Sequence, residues 1–149
     1  MVHESSLCYV IENGKVLMQL KGIGTQYVGR WVAPGGEILD GDSPKASAAR
    51  WTREQTGLEV TEMHLLGNII CLVNNNIDRI VYVFRADSFK GSVAGTGGIL
   101  QWFEKGKMPK GSTFYSDEIW SNMVFDGKKF SCKLYFSKDY IALLKSEIV

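Results

Sequence analysis

The chain has 149 residues, 45% apolar and 22% charged, with 17 basic against 16 acidic side chains and a formal net charge of +1. That length buries a sizeable core unaided, so one domain over residues 1–149 is expected. The near-neutral balance gives no global electrostatic footprint for nucleic acid or a membrane surface, and no apolar stretch approaches the ~18 residues that suggest a membrane span.

Residues 1–6 are short and polar, unlike a leader peptide. Residues 7–11 are apolar and β-prone, Asn13-Gly14 is a strong hairpin turn, and residues 16–20 return. A glycine-bearing loop over 21–29 leads to a short strand at 30–33, ending at Pro34-Gly35-Gly36. A helix follows: Ser43 suits the N-cap, Pro44 the first turn, and Gly57 the position just past the end. Residues 60–73 contain a strand, Asn74-Asn75-Asn76 a turn, and residues 80–84 a second strand that pairs with the first as a hairpin. Residues 89–98 form a glycine-rich loop, since no GK[ST] follows to make it a phosphate cradle. A strand is expected at 99–103, a helix at 117–125 and an alternating strand at 130–136. Helical spacing is read in the tail at 139–148. Strands and helices mix without a βαβ rhythm, which points to a mixed sheet covered by helices.

The three cysteines, Cys8, Cys71 and Cys132, are odd in number, widely spaced and set in apolar runs. They fit buried free thiols in a reducing cytoplasm and argue against a disulfide framework or a zinc site. His3 and His64 lack partners at ligand spacing, and Lys128-Lys129 reads as a solvated turn.

One stretch carries chemistry. From Thr56-Gly57-Leu58 backwards, Gly57, Leu58, Glu54, Arg50, Asp42 and Pro34-Gly35-Gly36 fall in register with the pattern G-x5-E-x7-R-E-U-x-E-E-x-G-U, where U is apolar. The segment resembles the box of the Nudix family, which hydrolyses diphosphates. Trp31, the Trp102-Phe103 pair, and Trp120 ahead of Phe130 extend the likeness to the MutT-type branch and its 8-oxo-dGTP diphosphatase relatives. The resemblance implies a Nudix-type α/β/α sandwich. It implies magnesium, or manganese, held by the Gly36 carbonyl, Glu54 and position Gln55, with Glu54 and Arg50 as the catalytic pair. The arginine would tie the helix to the loop or hold Glu54. The ligand class it implies is a small nucleotide or nucleoside diphosphate derivative.

The chain departs from the pattern where charge matters most. The glutamate after the arginine is Trp51, the next apolar position is Thr52, and the neighbour of Glu54 is Gln55. Trp51 and Gln55 are four apart and share a helix face. The distant loop acids would fall near Gly97 and Ile99. One carboxylate still holds magnesium when substrate and water complete the shell, but clustered metals become hard to sustain. Glu37, Asp40, Asp42 and Glu104 stand near enough in sequence to compensate, or are solvated surface acids. Glu54 has an alternative reading as an i,i+4 partner that steadies the helix through Arg50.

For a nucleobase, the resemblance points to Tyr27, Phe114, Ser116, Asp117 and Trp120. Ser116 replaces the first of two adjacent acids in the relatives, and Asp117 matches the second. Core packing for Trp120 and helix capping for Asp117 are the competing readings. Three functions stay open: a Nudix hydrolase, a nucleotide-binding module with weak or lost hydrolysis, and a structural domain.

Overall fold

The computed structural model describes residues 1–22, 29–95, 98–108, 117–140 and 142–148, with 117–119 given as helix backbone. The described elements are β1 (His3–Glu12), β2 (Lys15–Leu20), β3 (Trp31–Val32), β4 (Gly35–Glu37), α1 (Pro44–Thr56), β5 (Glu59–Val73), β6 (Asn76–Lys90), β7 (Ile99–Glu104), α2 (Asp117–Asp126), β8 (Phe130–Phe136) and β9 (Leu143–Ile148). They build a mixed sheet in the order β3-β2-β1-β6-β5-β8-β9, with β4 on β1 and β7 on β2. The pairs β1–β6 and β5–β8 are parallel and the others antiparallel.

Two local signals set the frame. Asn13 and Gly14 both take positive φ, as a tight turn between twisted strands requires, and they join β1 to β2. At α1, the Ser43 side chain accepts from the Ala46 N–H at 3.1 Å. Gly57 sits at φ 81° and donates its N–H to the Arg53 carbonyl, ending the helix. A Cβ there would also lie 2.0 Å from the Ala94 carbonyl oxygen, so only glycine lets the following loop approach.

Alternation along β1 assigns the faces. Cys8 and Val10 join Leu17, Ala48, Leu58, Met63, Phe84 and Ala86 in the cluster under α1. Tyr9 and Ile11 join Val16, Met18, Trp120, Val124 and Leu134 in the cluster under α2. Helices therefore cover both faces, giving an α/β sandwich. The buried side of α1 is small: Ser47, Ala48, Thr52 and Thr56. Their hydroxyls are satisfied locally, Thr52 on the Ala48 carbonyl and Thr56 on the Thr52 carbonyl, and Ser47 lies 3.2 Å from the Ser6 hydroxyl. This allows a close helix–sheet approach with these hydroxyls satisfied.

Three sequence expectations need correction. The tail is not helical. Residues 143–148 form β9, antiparallel to β8, with Cys132 opposite Ile148 and Leu134 opposite Ser146. The outer edge of β8 offers a row of backbone donors and acceptors, and this tertiary demand outweighs a weak helical spacing. Tyr140, at φ 63°, turns the chain back so that pairing can start. The glycine-rich stretch is also shorter than expected, because β6 continues through Phe89 to Lys90 beside β5. Pro34-Gly35-Gly36 does not merely end a strand: Gly35 and Gly36 lie in β4, paired with Leu7 and Ser6 of β1.

Among the described residues, no helix is long and apolar enough to cross a membrane.

Candidate functional site

The segment 34–37 and the C-terminal half of α1 come together against β1 and β2. Arg50, about a quarter exposed at its side chain, donates to Asp42 Oδ2 at 2.8 Å. Its guanidinium also lies 4.9 Å from the centre of the Trp51 ring. The arginine thus ties the helix to the preceding loop and lies over the neighbouring indole. Trp51 covers Gly36 so closely that a Cβ on that glycine would be 2.7 Å from the indole Cε2. The indole N–H donates to the Glu37 carbonyl at 2.9 Å.

Gln55 closes the other side. Its Oε1 accepts from the Gly35 N–H at 2.9 Å, and its Nε2 donates to the Gly35 carbonyl at 2.9 Å. The same Oε1 accepts from Gln19 Nε2 at 2.8 Å. Gln19 is buried in β2, and its own Oε1 finds no hydrogen-bond partner among the described residues. Position 35 must be glycine, because a Cβ would fall 2.1 Å from the Ser6 carbonyl oxygen.

The acids are spread apart. Glu54 is exposed on the outer side of α1. Glu37, also exposed, points toward Arg79 at 3.9 Å. Asp42 is taken by Arg50, Asp40 is exposed in the loop, and Glu104 is exposed at the end of β7 opposite Lys15. Ile99 is 61% exposed at the start of β7, while Gly97 lies outside the described residues. Among the described residues no cluster of three or more His, Cys, Asp or Glu side chains is placed to hold a metal ion.

On the opposite face, Trp120 is fully buried and donates its indole N–H to the Tyr9 hydroxyl at 2.9 Å. It stands in the core beneath α2. Asp117 begins α2, but its side chain is outside the described residues, as are Tyr27, Phe114 and Ser116. The C-terminal end of α2 is held by Arg85, whose Nη1 donates to the Val124 and Phe125 carbonyls at 2.7 Å each. The cation thereby meets two carbonyls of the last helical turn, one of which, that of Val124, also accepts from the Gly127 N–H at 3.1 Å. Trp31 packs edge-on against Phe103 at 4.9 Å, closing the end of β3 against β7.

All three cysteines are buried free thiols. Burial pushes the Cys8 thiol up to about 12, against a smaller lowering from a hydrogen bond with Thr52. Cys71 is pushed up to about 12 and Cys132 to about 11, in both cases chiefly by desolvation. Neither nucleophile nor redox chemistry is supported by thiols held this far from the thiolate.

Sequence reasoning missed two contributors, Gln19 and Tyr9. Gln19 was detectable: it is the one amide in the apolar strand Val16–Leu17–Met18–Gln19–Leu20 and falls on the α1 face by alternation. Tyr9 carried no such signal, since an aromatic in a buried strand is ordinary.

Residues 1–113 match the family model described as the NUDIX domain. The chain is 30% identical over 129 residues to the oxidized purine nucleoside triphosphate hydrolase of Danio rerio, covering 84% of this chain and 81% of that protein. The protein of the same description from Mus musculus is 28% identical over the same shares. Among solved structures, the MutT protein of Bacillus halodurans superposes with a TM-score of 0.82 at 21% identity, covering 98% of this chain and 97% of that one.

Proposed function

The chain belongs to the NUDIX domain family, in its MutT-like branch, and from that premise we propose that it binds a nucleoside triphosphate or diphosphate derivative while hydrolysing it weakly or not at all. In this reading residues 1–149 act as one Nudix-like unit in the cytoplasm, where buried free thiols stay reduced.

The observation that carries the reading is the engagement of Gln55. Both atoms of its amide are committed to the backbone of Gly35. Magnesium and manganese take hard oxygen ligands. The donor set here does not fit a clustered site: position 51 is an indole turned to a carbonyl, position 55 is a neutral amide already in use, and Glu54 stands on the exposed side of α1. What the chain's own residues do is shape the loop: Arg50 anchors Asp42, Trp51 covers Gly36, and Gln55 holds Gly35. Loss of charge neutralisation and of a general base each removes roughly 10²–10⁴ in rate.

A second reading, hydrolysis retained through Glu54 and Arg50, is favoured by the hydrolase descriptions of the Danio rerio and Mus musculus relatives. On that reading purines, including oxidised ones, are the substrates to try first.

A screen of nucleoside triphosphates, 8-oxo-dGTP, nucleotide sugars and dinucleoside polyphosphates with Mg²⁺ and with Mn²⁺ separates the two. The expected result is thermal stabilisation by a nucleotide with kcat/KM below about 10³ M⁻¹s⁻¹, under the usual enzyme range. Brisk turnover that disappears in Glu54→Gln establishes the second reading instead.

A further inference from the structure

The two glutamines at the junction form one neutral network whose hydrogen-bond directions are forced, and the Trp51 indole adds a separate bond beside it. The Gly35 N–H can only donate and the Gly35 carbonyl can only accept. Gln55 therefore has its Oε1 toward the former and its Nε2 toward the latter. With Oε1 placed, Gln19 must present its Nε2 to it. A carboxylate at position 55 could still accept from Gly35 and Gln19. It would, however, set an oxygen against the Gly35 carbonyl oxygen, with no hydrogen between them. Trp51 works the same way two residues on, where only a donor satisfies the Glu37 carbonyl.

Two of the acids around this network are met by arginines of the protein itself. Asp42 meets Arg50 at 2.8 Å, and Glu37 faces Arg79 at 3.9 Å. A loop–helix junction built from clustered carboxylates repels itself until a cation enters. This junction has no such cluster among the described residues. Every polar atom that Gln55 and the Trp51 indole bring to it has a protein partner.

We infer that Gln55, seated by Gln19 and flanked by Trp51, cross-links α1 to the 34–37 segment in place of a divalent cation, so that the site is pre-formed and takes up a nucleotide without one. Gln55 and Gln19 are positioning residues: they hold the Gly35–Gly36 backbone rather than touch the ligand. The clamp stands on the geometry alone. The statement about nucleotide uptake rests on the function proposed above.

The test uses the whole chain in EDTA and in millimolar MgCl₂. Amide hydrogen exchange is followed at Gly35, unfolding temperature is recorded, and a dGTP analogue with methylene-bridged phosphates is titrated. In the wild type, Gly35 stays equally protected and the unfolding temperature stays the same in both buffers. Gln55→Met, which removes the clamp without adding charge, raises Gly35 exchange at least tenfold in EDTA. Gln55→Glu loses the same protection in EDTA and regains part of it with MgCl₂. Affinity for the analogue in the wild type changes less than tenfold on adding EDTA.

The inference is overturned if MgCl₂ raises wild-type protection at Gly35 tenfold or more, or if Gln55→Met leaves that protection unchanged. A tenfold or greater loss of affinity in EDTA overturns its ligand half. Should Gln55→Glu fail to fold, the wild-type and Gln55→Met measurements still decide. Fast hydrolysis of dGTP would defeat the proposed function yet leave the exchange result at Gly35 standing, so the two failures are distinct.

Discussion

The two faces of the sheet are held by different forces. Under α2 the contacts are large and apolar: Trp120, Tyr9, Phe130, Phe136 and Leu134 fill the space, and the Trp120 indole N–H bonds to the Tyr9 hydroxyl. Under α1 the helix buries small side chains, and directed polar bonds from Gln55, Trp51 and Arg50 fix the adjoining loop. The teaching of the contrast is that volume sets the α2 face and direction sets the α1 face. A non-directional contact tolerates many sequences of similar volume. A reciprocal amide–backbone pair tolerates one side chain.

The contrast is broken most directly by truncating an aromatic on each side. Trp120→Ala is expected to cost about 3–5 kcal/mol in urea unfolding, because it opens a cavity and removes the indole bond to the Tyr9 hydroxyl. Trp51→Ala, at a half-buried site, should cost markedly less. Equal losses would show that the α1 loop is packed as a core. Alkaline unfolding sharpens the comparison through the thiols. A folded pKa raised above the ordinary value of about 8.5 means that the native chain keeps a proton the unfolded chain releases. Stability is then complete below about pH 8.5. It falls as pH rises toward the folded value, by about 1.4 kcal/mol per pH unit per thiol. Cys8 under α1 and Cys71 on the other side, both near 12, lose stability over a wider window than Cys132, near 11. In urea titrations from pH 8 to 10.5, Cys8→Ala should flatten this decline, and an unaltered slope would contradict the burial argument.

Gln55→Met removes three hydrogen bonds, two of them to Gly35, and is expected to cost about 1–3 kcal/mol, measured by urea unfolding in EDTA. A neutral result would reduce the α1 face to ordinary packing. The smallest effect belongs to Arg50→Ala. The pair with Asp42 is about a quarter to a third exposed, so its loss should cost about 1 kcal/mol or less and shrink further in high salt.

Much of the frame was legible without coordinates. The Asn13-Gly14 turn, the Ser43 cap with Pro44, and Gly57 at the helix end are local signals, and all three act within a few residues of themselves. The box register placed Arg50, Glu54 and Gly36 on one loop–helix unit for the same reason. The tail was not legible. A strand at residues 143–148 depends on the free edge of β8, which no window of sequence around 139–148 contains.

What the sequence determined by itself, then, is the family, the mixed sheet with its helices, and the indole and amide that stand at positions 51 and 55. Only the tertiary structure decided what these two side chains do. Gln55 finds its partners 20 and 36 residues away in Gly35 and Gln19, and Trp51 finds its own 14 residues back at Glu37. Hydrogen bonds are short and directional, so their worth depends on where distant backbone is brought by the pairing of β4 with β1 and of β2 with β3. A side chain's chemistry can be read from its letter; its partner is set by the fold.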